Sequence, residues 1–354
     1  MTTRRDVLRF AGASAALAGC GRGRASGTDG RIERDVAGAA SSPAPRTAPV
    51  PRRTLGQTGA SVSILGLGGS HLGGMPDDAE AIRVVHTAID AGINFFDNAW
   101  EYHDGHSEEI LGRALAGKRD QVFLMTKVCT HGRGADVALA QLEDSLRRLG
   151  TDHLDLWQVH ECVYDNDPAL HYAAGGVLDA LARAKQQGKV RFVGFTGHKD
   201  PKIHLEMLQR GFAFDTAQMP LNAFDAGFRS FERQVVPELV RRRMGVIGMK
   251  SLGGQGQPVR QGAVAPEEAI RYAMSIPGVS VTVSGVDSME VLEQNLAIAR
   301  GFTPMPEAER QALRARLAEA AGDGHFELYK TTTYYDGKVG REQHGYPPHE
   351  NLPL

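Results

Sequence analysis

Asn94-Phe95-Phe96-Asp97-Asn98-Ala99-Trp100-Glu101-Tyr102 is an apolar run that stops at an acid and reaches a tyrosine five positions later. Three further apolar runs end in polar side chains, at Thr126-Lys127, Val159-His160 and Ala217-Gln218. An Asp, a Tyr, a Lys and a His at the ends of separate strands meet only if those strands are parallel and wound into one sheet. The stretch therefore predicts a parallel sheet with its polar side chains gathered at one end.

Outward from it, apolar runs alternate with segments of helical spacing. Strands are expected at 65–69, 93–98, 122–128, 154–160, 190–194, 215–219, 246–249 and 279–284. Helices are expected at 79–90, 107–115, 137–149, 177–187, 203–210, 231–243, 266–275 and 289–300. A small hairpin, 52–56 with 62–64, precedes them. Eight strand–helix units in about 250 residues fit a closed (β/α)8 TIM barrel, an α/β fold. An open doubly wound sheet would place a GxGxxG turn before its first helix, and Gly66-Leu67-Gly68-Gly69 lacks that form. The barrel is expected over 52–302. Residues 303–354, with a helix at 307–321 and an irregular aromatic end, are expected to form an extension packed on it.

The chain has 354 residues, a formal net charge of -2 and a pI near 6.7, which gives no reason to expect nucleic acid. Its three cysteines, Cys20, Cys129 and Cys162, include no CxxC pair, against a disulfide framework or an iron–sulfur cluster. Residues 1–19 read as an export signal too short to span a bilayer. Arg4-Arg5 before Val7-Leu8 resembles a twin-arginine signal, and Leu17-Ala18-Gly19-Cys20 resembles a bacterial lipobox that would lipidate Cys20. Residues 20–51, rich in Gly, Ala, Ser, Pro and Arg, read as a flexible tether. The expectation is a monomer on the periplasmic or cell-envelope side, touching membrane only through its lipid. The alternative is a free N-terminal tail that happens to contain two arginines.

Asp97, Tyr102, Lys127 and His160 form the candidate catalytic set. A free tyrosine, with a pKa near 10, is a poor proton donor at neutral pH. A neighbouring ammonium, Lys127, is expected to lower that value, with Asp97 holding Lys127 in place. His160 is placed to hydrogen-bond a substrate oxygen. The set suits protonation of an oxygen while a hydride from a cofactor attacks the carbon. Taken singly, each residue is more often structural, and their joint placement carries the reading.

With Met125-Thr126-Lys127 and Trp157-Gln158-Val159-His160, these residues resemble the tetrad of the aldo-keto reductase family over residues 53–300. The resemblance implies a barrel whose mouth binds an extended nicotinamide cofactor, NAD(P)H, and reversible reduction of a small carbonyl substrate with Tyr102 as general acid. It implies Gln218 and Asn222 near the nicotinamide carboxamide. Where the family usually has Ser-Asn for the carboxamide, this chain reads Thr196-Gly197-His198, so His198 is expected to bond the carboxamide or line the cleft. Met249 stands where many members stack an aromatic, and Lys250, Ser251, Leu252 and Gly254 would meet the pyrophosphate. Ser284, Gly285, Asp287, Gln294 and Asn295 would hold the adenosine phosphate.

Members that favour the 2'-phosphorylated cofactor tend to carry a cation where this chain reads Val286-Asp287, so NAD(H) is expected to be tolerated or preferred. The competing reading makes Asp287 the cap of the helix starting near Ser288, with Arg229, Arg233 or Arg260 serving the phosphate. Trp100 and Tyr164 are expected to form an apolar wall for substrate. No metal site is expected, since His131, His153 and His171 form no ligand cluster in sequence. A second class stays open: an exported binding or accessory barrel, a role some potassium-channel accessory subunits of this fold have.

Overall fold

The computed structural model describes residues 48–131, 134–348 and 351. The expected export signal, Cys20 and the expected tether up to residue 47 lie outside them. The ordered chain starts earlier than residue 52. Val50 is buried and its N–H donates to the Ala91 carbonyl at 3.1 Å, because an apolar side chain there fills a gap beneath the helix that ends at Asp90.

Two short strands, β1 (Arg52–Thr54) and β2 (Ser61–Ser63), pair antiparallel. Eight parallel strands follow: β3 (Leu65–Gly68), β4 (Phe95–Asp97), β5 (Phe123–Val128), β6 (Leu154–Val159), β7 (Val190–Thr196), β8 (Thr216–Pro220), β9 (Gly245–Met249) and β10 (Val279–Gly285). Each pairs with the next and β10 pairs back onto β3, so the sheet closes as the expected (β/α)8 barrel. The ring of helices around it matches the expected one with one break. The segment expected as a single helix at 231–243 divides into Phe231–Gln234 and Val236–Arg241. Pro237 has no N–H to continue the first helix and sits in the opening turn of the second.

Strand alternation decides what the barrel holds. Side chains point alternately in and out. Phe95, Phe123, Met125, Leu156, Ile247 and Val281 point inward and form a core of their own, separate from the larger one between strands and helices. Phe95 stacks on Phe123 at 5.3 Å and Phe123 on Phe192 at 6.3 Å. Each such ring contributes roughly 1.5–3 kcal/mol by leaving water. Leu55 and Val62, from the β1–β2 hairpin, are fully buried against this layer and close the lower end. Two residues further along several of the strands, the inward positions turn polar: Asp97 after Phe95, Lys127 after Met125, Thr196 after Gly194.

Beyond β10, the helix Glu307–Ala321 buries Leu313, Leu317 and Ala321. Ala321 meets Gly227, where a Cβ would lie 2.7 Å from the alanine methyl. Lys330 is fully buried, and its Nζ donates to Asp225 Oδ1 (2.7 Å), Glu327 Oε2 (2.9 Å) and the Phe228 carbonyl (2.7 Å). A buried ammonium is tolerable only when satisfied in this way. The last helix, Lys338–Gln343, starts at Gly337, whose N–H donates to Glu161 Oε2 at 2.6 Å.

Candidate active site

The inward row of β4, β5 and β8 brings three side chains into bonding contact at the upper end. Lys127 Nζ donates to Asp97 Oδ1, to the Asn98 carbonyl at 2.8 Å, and to the Tyr102 hydroxyl at 3.3 Å. Gln218 Nε2 donates to the other Asp97 oxygen at 2.6 Å. Tyr102 comes from the turn after β4, so its ring lies over the ammonium, 4.9 Å from ring centre to Nζ. His160, one residue past β6, meets that ring edge-on at 5.6 Å. Its Nδ1 is 2.8 Å from Glu101 Oε1.

The electrostatics differ from the expectation for Tyr102. Burial, then the charges of Asp97, Glu161 and Glu101, push its phenol well above the ordinary value rather than below it. The ammonium of Lys127 lies beside the phenol, but Asp97 lies closer to that ammonium and screens its charge. Burial likewise holds His160 neutral, pulling it down to about 3. Burial raises the Glu101 carboxyl above the usual range.

These side chains form the floor of a cleft of about 480 Å³ that runs from Tyr102 and His160, past β9, to Asp287 and Val291. Thr196, His198, Gln218, Met249, Lys250, Ser251, Leu252, Gly254, Ser284, Gly285 and Asp287 all line it. Gln218 Oε1 is buried there without a hydrogen-bond partner, while its Nε2 is held by Asp97. An unpaired buried acceptor of this kind fits the amide N–H group of a nicotinamide. Gly253 and Gly254, both at positive φ, let the chain after β9 bend along the cleft without side chains in the way.

A family model described as "Aldo/keto reductase family" matches residues 64–260, more than half of the chain. The chain belongs to the aldo/keto reductase family. It is similar to aldo-keto reductase YhdN of Bacillus subtilis, with 31% identity over 199 residues, 52% of this chain and 56% of that one. It is also similar to 6-dehydroglucose reductase of Novosphingobium aromaticivorans, with 30% identity over 290 residues, 76% of this chain and 89% of that one. Among solved structures, an aldo/keto reductase from Klebsiella pneumoniae in complex with NADP and acetate shares the fold. Its TM-score is 0.61 at 22% identity, over 74% of this chain and 94% of that one.

Several residues expected at the site of this aldo/keto reductase lie elsewhere. Trp100 turns outward, with the Arg148 guanidinium 5.5 Å from its ring, because the cation on the helix Ala135–Leu149 draws it away from the cleft. Tyr164 does not line the cleft either. Its hydroxyl donates to Asp336 Oδ2 at 2.9 Å and its ring stacks on His344 at 3.8 Å, so it holds the C-terminal segment. Asn222 Nδ2 donates to the Tyr329 hydroxyl at 2.8 Å, and Asn222 Oδ1 accepts from Phe224 and Asp225, so it belongs to the Lys330 cluster. Gln294 is exposed on the outer helix, and Asn295 stands behind the cleft wall with its amide on Ser284 Oγ at 3.2 Å. The helix Met289–Arg300 is capped by Ser288, whose Oγ accepts from Val291 N, and not by Asp287.

The cleft also contains residues that were not expected at the site, four of which bear on its chemistry or shape. His71 lies on the short helix Gly69–Leu72, and Glu161 follows His160 at a positive φ of 52°. Tyr335 reaches in from the C-terminal extension, and Val291 closes the far end. Glu161 was findable, since it continues a strand end already marked as polar. Tyr335 sits in a stretch without periodicity and gave no signal.

Proposed function

We propose that this cleft reversibly reduces a small carbonyl compound, with Tyr102 delivering the proton to the carbonyl oxygen. A nicotinamide cofactor, when bound, supplies the hydride. The observation that carries this reading is the part-buried Tyr102 hydroxyl 3.3 Å from Lys127 Nζ, above the Asp97 carboxylate. Because burial keeps the phenol protonated at neutral pH, it is in the donor form that reduction requires. As its proton leaves, Lys127 stabilises the phenolate that forms. Asp97, gripped by Gln218, holds Lys127 in position. His160 is neutral, so it keeps one N–H with which to orient a substrate oxygen.

Part of the cleft that Tyr102 lines is polar: Glu161, His198, Lys250 and Tyr335. That lining suits a small hydroxylated carbonyl compound of the kind named in 6-dehydroglucose reductase. Asp287 supports the finer reading that NAD(H) is tolerated or preferred, unlike the NADP held by the Klebsiella protein. Its carboxylate lines the cleft free of any capping duty. The suggested phosphate-binding arginines are elsewhere or engaged. Arg229 donates to the Lys330 carbonyl at 3.0 Å, Arg233 is exposed on its helix, and the Arg260 guanidinium is bonded to the Gln255 carbonyl. The Arg4-Arg5 pair and Leu17-Ala18-Gly19-Cys20 support the further reading that the reductase is exported and lipid-anchored.

Tyr102→Phe tests the central assignment. It is expected to leave the fold and cofactor binding intact and to lower kcat by at least roughly 100-fold. Turnover within threefold of wild type at saturating cofactor would sink it.

A further inference from the structure

We propose that His131, Asp167 and His344 hold a divalent transition-metal ion, zinc by ligand chemistry, that clamps the C-terminal segment onto the barrel. The three come from far apart in sequence: the turn after β5, the helix Asp167–His171 beyond β6, and the residue after the last helix. One ligand atom from each lies within 4.8 Å of the other two. His131 Nδ1 stands 3.4 Å from Asp167 Oδ1, and His344 Nε2 stands 3.6 Å from the same oxygen. Ordinary N–H···O bonds are shorter, about 2.7–3.2 Å. Around zinc, with bonds near 2.0–2.1 Å, tetrahedral ligands stand about 3.3–3.4 Å apart. The separations match the edges of such a tetrahedron better than they match hydrogen bonds.

The surrounding contacts orient these atoms as ligands. His344 Nδ1 bonds the Gly340 carbonyl at 2.9 Å, which puts a proton on Nδ1 and turns Nε2 to Asp167 as the nitrogen available to a metal. Asp167 Oδ2 accepts from the backbone N–H groups of Val163 and Tyr164, both at 2.8 Å, so Oδ1 is the oxygen turned to the imidazoles. Behind His131, at 6.5 Å between ring centres, His171 is fully buried with neither nitrogen partnered. Such a deficit points to an ion or its bound water nearby. Asn166 Oδ1, 3.2 Å from His344 Nε2, or a water is available for the fourth position. A groove of about 530 Å³ bordered by Asn166 and His344 gives the ion a route in. His131 has a φ of 41°, and its Nε2 is pressed on Gly340, where a Cβ would lie 2.5 Å away. The segment is thus seated tightly around the three side chains.

The test is zinc chloride titrated by calorimetry into chelator-stripped, full-length protein. One zinc per chain is expected, with a raised midpoint of thermal unfolding. His344→Ala, at a partly exposed helix end, and His131→Gln should each weaken binding at least about 100-fold. Cobalt(II) in place of zinc should give the strong visible absorption of a tetrahedral site, lost in His344→Ala. His153→Ala, a surface histidine beside Asp152, should bind as wild type. Absence of stoichiometric binding overturns the proposal. So does binding that folded His344→Ala retains, which would assign the ion to Glu101, Cys129 and His160, the other converging set.

Discussion

Asp97→Asn is the most informative single change to the polar floor. The exchange is nearly isosteric but removes the only carboxylate bonded to Lys127 Nζ among the described residues. The two side chains are 1% and 5% exposed, Lys127 and Asp97 respectively, so water cannot replace the lost charge. What remains around the ammonium is neutral: the introduced amide oxygen, the Asn98 carbonyl at 2.8 Å and the Tyr102 hydroxyl at 3.3 Å. Breaking a buried pair by removing one partner costs about 3–5 kcal/mol. In a chain of this size, with roughly 2 °C of midpoint per kcal/mol, that is a fall of about 6–10 °C. The assay is thermal unfolding of cofactor-free protein in a double-mutant cycle with Lys127→Met. Because the double variant carries no orphaned charge, it should recover at least half of the loss. A midpoint for Asp97→Asn within 2 °C of wild type, or a coupling energy below about 0.5 kcal/mol, would refute the reasoning.

Three other predictions follow from the same contacts and from the N-terminal motifs. Burial alone would raise the Asp336 carboxyl, but His198 and Lys199 outweigh it and hold it at about 2. A carboxyl held below its unfolded value contributes stability above that value and loses it as pH falls through 4 towards 2, on the order of 2–3 kcal/mol. Unfolding curves of wild type and Asp336→Asn should therefore differ at neutral pH and converge near pH 2. Dissociation constants of the two reduced cofactors, by quenching of protein fluorescence at fixed ionic strength, should show NAD(H) bound at least comparably, and Asp287→Arg should shift the order towards the phosphorylated form. Tighter binding of the phosphorylated cofactor to wild type by more than roughly tenfold, about 1.4 kcal/mol, refutes the preference. Cys20→Ser should release the protein from membranes or block its processing, and a mature N-terminus other than Cys20 in mass spectrometry would exclude lipidation.

What the chain disclosed in advance tracks its periodicities. Within a strand, the period of two decides both that Phe95 and Asp97 share a face and that the face is inward, so the barrel and the grouping of Asp97 with Lys127 and Gln218 could be read. Loops carry no such rule. Trp100 stands two residues before Tyr102 in the same turn, and Arg148, 48 positions downstream, decides that it faces out. Tyr164 and His344 meet only because the C-terminal segment folds back across the barrel. The direction of the Tyr102 shift was misjudged for a related reason. The sequence places Lys127 beside it but does not reveal the desolvation of the phenol or that Asp97, Glu161 and Glu101 all act on it.

The β1–β2 hairpin has a kinetic meaning. With Leu55 and Val62 corking the lower end, the cleft that Tyr102 lines lies at the opposite, upper end of the barrel. Everything that reacts there must come and go on the same side. Whatever settles deepest enters first and leaves last, so turnover in such a cleft is a queue served in reverse. Under the reaction proposed above, release of whatever settles deepest is then a step that can limit turnover.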